Sequence, residues 1–100
     1  MKVIKCNTPN GQFQIPLKLV AENRANYYAK KDGVEIGSQD YKEEVDWVME
    51  HDYEGIDWLL NNTDWEDWQD SATKLNDKVK VTDDDFWRSS DDFEIVEAQE

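Results

Sequence analysis

The chain has 100 residues, 38% hydrophobic, 12% aromatic and 35% charged, with a formal net charge of −13: enough for one domain with a single modest core, and too rich in rings for a disordered acidic segment. Residues 1–38 hold six Lys/Arg and three Asp/Glu, whereas residues 39–100 hold five against twenty-one. That balance excludes the basic footprint needed for direct nucleic-acid binding and disfavours anionic membranes, leaving cations or basic protein surfaces as fitting partners, with plain solubility as the other use of the charge.

The first residues, MKVIKCNTPNG, lack the continuous apolar run of a signal peptide. No window approaches eighteen apolar residues, so no spanning helix is expected. Lone Cys6 offers neither an internal disulfide nor a metal-ligand set, and a reducing cytoplasm is the expected location. Residues 2–15 read as a hairpin. Asn10-Gly11 is a strong turn signal, because both central positions of a type I′ turn need positive φ. With those two residues as the loop, Thr8 faces Phe13 and Cys6 faces Ile15. Ile4, Cys6, Phe13 and Ile15 then share one side of the hairpin, which makes Cys6 a buried small hydrophobe rather than a nucleophile.

Pro16 suits the first position of a helix, where its missing N–H costs nothing. Leu17, Val20, Ala21, Arg24 and Tyr28 follow at helical spacing, and Lys30-Lys31-Asp32-Gly33 supplies terminal cations and a glycine C-cap. One ring of Tyr27-Tyr28 is expected in the core and the other at the surface. Residues 33–38 form a turn or weak extended piece. Ser38 or Asp40 then caps a second helix, with Tyr41, Val45, Val48 and Met49 on its inner face and Trp47 flanking it. His51-Asp52 breaks the pattern, and Asp52 is a candidate N-cap for a third helix bearing Ile56, Leu59 and Leu60. Asn61-Asn62 closes that helix, and Thr63-Asp64 caps a short turn from Trp65 to Trp68. Gly55 and the Asn pair argue for separate short helices rather than one long one. From Lys74 the period changes. Val79 and Val81 alternate with lysines, and Phe93 and Ile95 alternate with acids, giving two more strands. The fold class expected is α+β, in the order β-β-α-α-α-β-β. It comprises a small antiparallel sheet of three or four strands with two to three short helices packed on one face, in a single domain over 1–100 whose last three residues fray.

No constellation of catalytic residues stands out from this background. His51 has a neighbouring acid but no nucleophile or metal partner. The glycines at 11, 33, 37 and 55 make no phosphate loop. Zinc lacks soft ligands. Asp83-Asp84-Asp85 and Asp91-Asp92 offer hard oxygens without the alternation and central glycine of a calcium loop. No enzyme, no cofactor and no metal site are therefore expected.

The densest feature is the stretch 41–70, with four of the five tryptophans and eleven carboxylates against Lys42 alone. Carboxylates at helical steps of three and four stand in rows whose spacing approximates duplex phosphates. Such a protein can occupy a nucleic-acid-binding cleft by offering the counter-charge the cleft was built for. In size and charge, though in no motif, the chain is similar to small acidic inhibitors of restriction, recombination or CRISPR machinery encoded by phages or mobile elements. The expected contacts with a basic partner, a nucleic-acid-binding protein in the sharpest form, are Asp57, Asp64, Glu66, Asp67 and Asp70. Trp65 and Trp68 are the anchor rings if exposed. The alternative is a structural or accessory protein that self-associates through a strand edge or a tryptophan patch. Monomer and homodimer both stay open.

Overall fold

Thr8-Pro9-Asn10-Gly11 is where the chain first turns back on itself. Strand β1 (Lys2–Thr8) pairs antiparallel with β2 (Gly11–Pro16) in the register Thr8↔Gly11, Cys6↔Phe13, Ile4↔Ile15. The two central turn residues are thus Pro9 and Asn10, one position earlier than the Asn10-Gly11 loop expected from sequence. Proline presets φ for the first central position and glycine is favoured at the last position of such a turn. Gly11 takes the positive φ (128°), and among the described residues no non-glycine does. The Thr8 hydroxyl closes the turn, donating to the Gly11 carbonyl at 2.9 Å and accepting from the Asn10 N–H at 3.1 Å. Moving the turn by one position changes each cross-strand partner by two residues. Since side chains alternate with period two, the apolar face survives the shift.

The computed structural model describes residues 1–77, 87 and 93–97. Its α+β architecture is a four-stranded antiparallel sheet in the order β3-β2-β1-β4, where β3 is Thr73–Asn76 and β4 is Phe93–Glu97. Four helices lie between the second and third strands: α1 (Leu17–Asp32), α2 (Gln39–Glu50), α3 (Asp52–Asn62) and the single turn α4 (Trp65–Trp68). Ile4, Cys6, Ile15 and Phe93 on the strands meet Leu17, Val20, Val48 and Leu59 on the helices in one core. The opposite sheet face is polar except at one end, where Val3 is buried between Pro16 and Val96. Gln12 donates to Asn7 at 3.2 Å and accepts from Asn76 at 3.0 Å, a side-chain ladder across β1, β2 and β3. Val79, Val81, Asp83–Asp85, Asp91 and Asp92 lie outside the described residues.

The helix boundaries follow capping chemistry with two adjustments. Pro16 is the last residue of β2 and the N-cap of α1 rather than its first residue, because its place opposite Val3 keeps it in the ladder. His51, not Asp52, is the N-cap of α3, and the Asp52 carboxylate instead accepts from Lys2 Nζ at 3.4 Å. Ser38 caps α2 by accepting from the Tyr41 N–H at 3.3 Å. Gly33 ends α1 in the left-handed region at φ 72°, as expected of a glycine C-cap. Gly55 serves by what it lacks. A β-carbon there would stand 2.5 Å from Leu17 Cδ1, so its absence lets α3 lie directly on the start of α1.

Cys6 is 1% exposed, and burial pushes its thiol up from 9.0 to about 12, against a smaller opposing effect of a backbone hydrogen bond with Phe13. The neutral thiol is favoured in the folded state, so its contribution to stability is whole below pH 9. It is lost as pH rises from 9 toward 12, where the unfolded chain gives up the proton first. Denaturant midpoints of wild type should therefore fall more steeply over that window than those of Cys6→Ala, and parallel curves would contradict the burial.

Candidate functional site

The carboxylates expected to contact a partner are all at the surface: Asp57 on α3, Asp64, Glu66 and Asp67 at α4, and Asp70 just after it. Two of them also hold the chain in shape. The Asp64 N–H donates to Asp67 Oδ2 at 2.8 Å, which fixes the start of α4, and Asp57 Oδ1 accepts from Asn61 Nδ2 at 2.8 Å.

The rings of that turn face the other way. Trp68 is 5% exposed, and its indole N–H donates to the Thr63 hydroxyl at 2.8 Å. Trp65 is half-buried, edge-on to Phe13 with centroids 4.9 Å apart, and 5.9 Å from the Trp87 ring. The condition set for Trp68 as an anchor, exposure, is not met. An indole with only small polar neighbours in sequence still goes inside when a hydroxyl is placed to take its N–H.

The exposed tryptophan is Trp47, on α2, at 38%. α1 and α2 pack as a helical hairpin and leave between them a cleft of about 540 Å³. Small side chains make the space: Ala25 and Ala29 on α1, with Val34 in the connecting turn, floor the cleft. Tyr28, Tyr41 and Trp47 wall it, and Asp32, Asp40, Glu43 and Glu44 stand along its rim. Burial and the Glu22 carboxylate push the Tyr41 hydroxyl above its ordinary pKa.

One end of the cleft is filled from within. The Arg24 guanidinium lies 4.8 Å from the Tyr28 centroid and 4.7 Å from that of Trp47, and Arg24 Nη1 donates to Glu44 Oε2 at 2.8 Å. Two ring faces and a carboxylate around one planar cation is the arrangement that holds a guanidinium best. Trp47 is backed in turn by His51, whose ring stacks on it at 4.9 Å and whose Nδ1 bonds the Trp47 carbonyl at 2.8 Å. On the far side, Tyr28 leans on Trp58, which donates to Asn23 Oδ1 at 2.8 Å. Among the described residues, the rim acids Asp32, Asp40 and Glu43 make no ion pair.

No protein-family model, curated protein or solved structure matches the chain.

The cleft is thus described by its geometry alone: aromatic walls and a carboxylate rim that already hold one internal guanidinium. Arg24, Tyr28 and Trp47 were not among the residues expected to matter. Trp47 carried a usable signal, since it flanks the apolar face of α2 with Glu43 and His51 four residues away on either side. Arg24 carried none, because its partners are a tyrosine in its own helix and two residues some twenty positions on. No helix among the described residues is long and apolar enough to cross a membrane.

Proposed function

We propose that this protein is a non-enzymatic interaction module that presents an acidic, tryptophan-bearing helical surface to a basic partner. The observation that carries the reading is Trp47: an exposed ring on the acidic helix α2, already holding a guanidinium against its face. Aromatic rings with adjoining carboxylates bind cationic side chains at interfaces, and charge complementarity speeds and orients the encounter. The surplus of carboxylates over residues 39–100 fits a partner that is itself built to bind nucleic acid, since such proteins gather Lys and Arg on one face. In that form the chain acts as a mimic of the nucleic acid, the role by which a phage or mobile element would block host defence or DNA-binding machinery. The acids of α3 and α4 (Asp57, Asp64, Glu66, Asp67, Asp70) extend the contact beyond α2.

Surface plasmon resonance against purified nucleic-acid-binding proteins, in rising salt and with duplex DNA as competitor, tests this. Binding is expected at low salt, to weaken steeply with ionic strength and to be displaced by the duplex. Reversal to lysine of Asp46 and Glu50 on α2, or of Asp57, Glu66 and Asp70 on α3 and α4, should each weaken it by about tenfold or more, the combined effect of two or three exposed charges reversed together. If neither set alters binding to any such protein, the proposal fails.

A further inference from the structure

We infer that the α1–α2 cleft is an arginine-binding pocket, which receives a guanidinium side chain from the basic partner. This rests on the interaction reading above and gives it a specific point of contact. The cleft of about 540 Å³ falls inside the range of roughly 300–1,000 Å³ typical of ligand sites. A long side chain entering it would lay its methylene stem on Ala25, Ala29 and Val34, the apolar floor. Its charged end would meet Asp40 and Glu43 on the rim, which lack a cation among the described residues.

Arginine is favoured over lysine for a reason already visible in the wall. Guanidinium is planar and weakly hydrated, and it stacks on rings where an ammonium stays solvated. Arg24 does this between Tyr28 and Trp47, with Glu44 neutralising it. The protein's own arginine therefore marks what the pocket accommodates, and its pairing with Glu44 leaves the remaining rim free to attract a second cation. The cleft also lies between two helices joined by a short turn, and an occupant would meet both at once.

The test is an amide and indole NMR titration of the full chain, at low salt, with an acetylated and amidated Arg-Gly-Arg peptide and its citrulline counterpart. Citrulline keeps the shape and removes the charge. The arginine peptide should shift the Asp40, Glu43 and Trp47 signals, with the citrulline peptide inert. The double variant Asp40→Asn, Glu43→Gln should bind about tenfold more weakly, as expected for two exposed charge contacts, while its circular dichroism and Tm stay at wild-type values. Equal shifts from the citrulline peptide, shifts confined to α3 and α4, or none at all would overturn the inference. A basic partner that still binds through α3 and α4 would separate loss of the pocket from loss of the broader reading.

Discussion

Trp68→Ala should lower the stability by about 3–5 kcal/mol, the range for a fully buried tryptophan cut back to a methyl group. The ring is nearly sealed from water, and its N–H is one of the bonds that tie α4 to the end of α3. Removing it opens a cavity and leaves the Thr63 hydroxyl without its donor, two costs that add. In a 100-residue chain the loss corresponds to a fall in Tm of more than about 12 °C. Trp47→Ala should behave oppositely. It exposes little that was hidden, and costs about 1 kcal/mol through the lost Arg24 contact, but it should weaken binding of the arginine peptide by removing one wall of the cleft. Thermal denaturation of the two variants decides the matter. If Trp47→Ala is the more destabilising, Trp47 belongs to the core and Trp68 to the surface.

Gly11→Ala is the second large effect, expected to cost about 2–4 kcal/mol. At φ 128° an L-residue is strained by roughly 1–3 kcal/mol before any contact is counted. The new β-carbon would also stand 2.5 Å from the Asn76 carbonyl oxygen and 3.1 Å from Lys74 Cε. Backbone cannot swing aside as a side-chain tip can, so β3 must separate from β2 or the turn must open. Gly33→Ala provides the control. Its φ is 72°, but nothing lies within 4 Å of the added atom, so only the conformational cost of about 1 kcal/mol remains. Urea denaturation should rank Gly11→Ala well below Gly33→Ala. Equal midpoints would mean that β3 does not press on the turn.

How much of this could be read in advance depended on how local the cause was. The hairpin face formed by Ile4, Cys6, Phe13 and Ile15 needs only alternation and a turn, and both lie within fifteen residues. The exact partners across it did not follow, because Pro9 competes with Gly11 for control of the turn. Caps at Ser38, Gly33 and Asp64 are equally local and were legible. The tryptophans were not, since an indole belongs equally to a core and to an interface. What decides between them is whether a distant oxygen waits for the N–H. Thr63 supplies it for Trp68, Asn23 for Trp58, and the Leu59 and Thr63 carbonyls for Trp87. The candidate site suffers from the same limit. Carboxylates of the stretch 41–70 announced themselves by number, whereas the cleft exists because Ala25 and Ala29 on one helix face an acidic helix that sequence spacing does not place beside them.

The end of α3 carries one further implication. Helices usually finish with lysine or arginine near their last carbonyls, yet α2, α3 and α4 have no basic residue in the last turn. At α3 the work falls to neutral donors: the Leu59 carbonyl accepts from the Thr63 hydroxyl at 2.6 Å and from the Trp87 indole at 3.0 Å, and the Thr63 carbonyl accepts from the same indole at 2.9 Å. An indole satisfies a carbonyl without bringing a countercharge. The half of the molecule that repels itself most is thus closed by bonds that salt does not weaken, and added salt should relieve the repulsion and leave the closure intact. On the proposed reading, grip on a basic partner and integrity of the fold respond to ionic strength in opposite directions, and a rise in salt would release that partner with the fold intact.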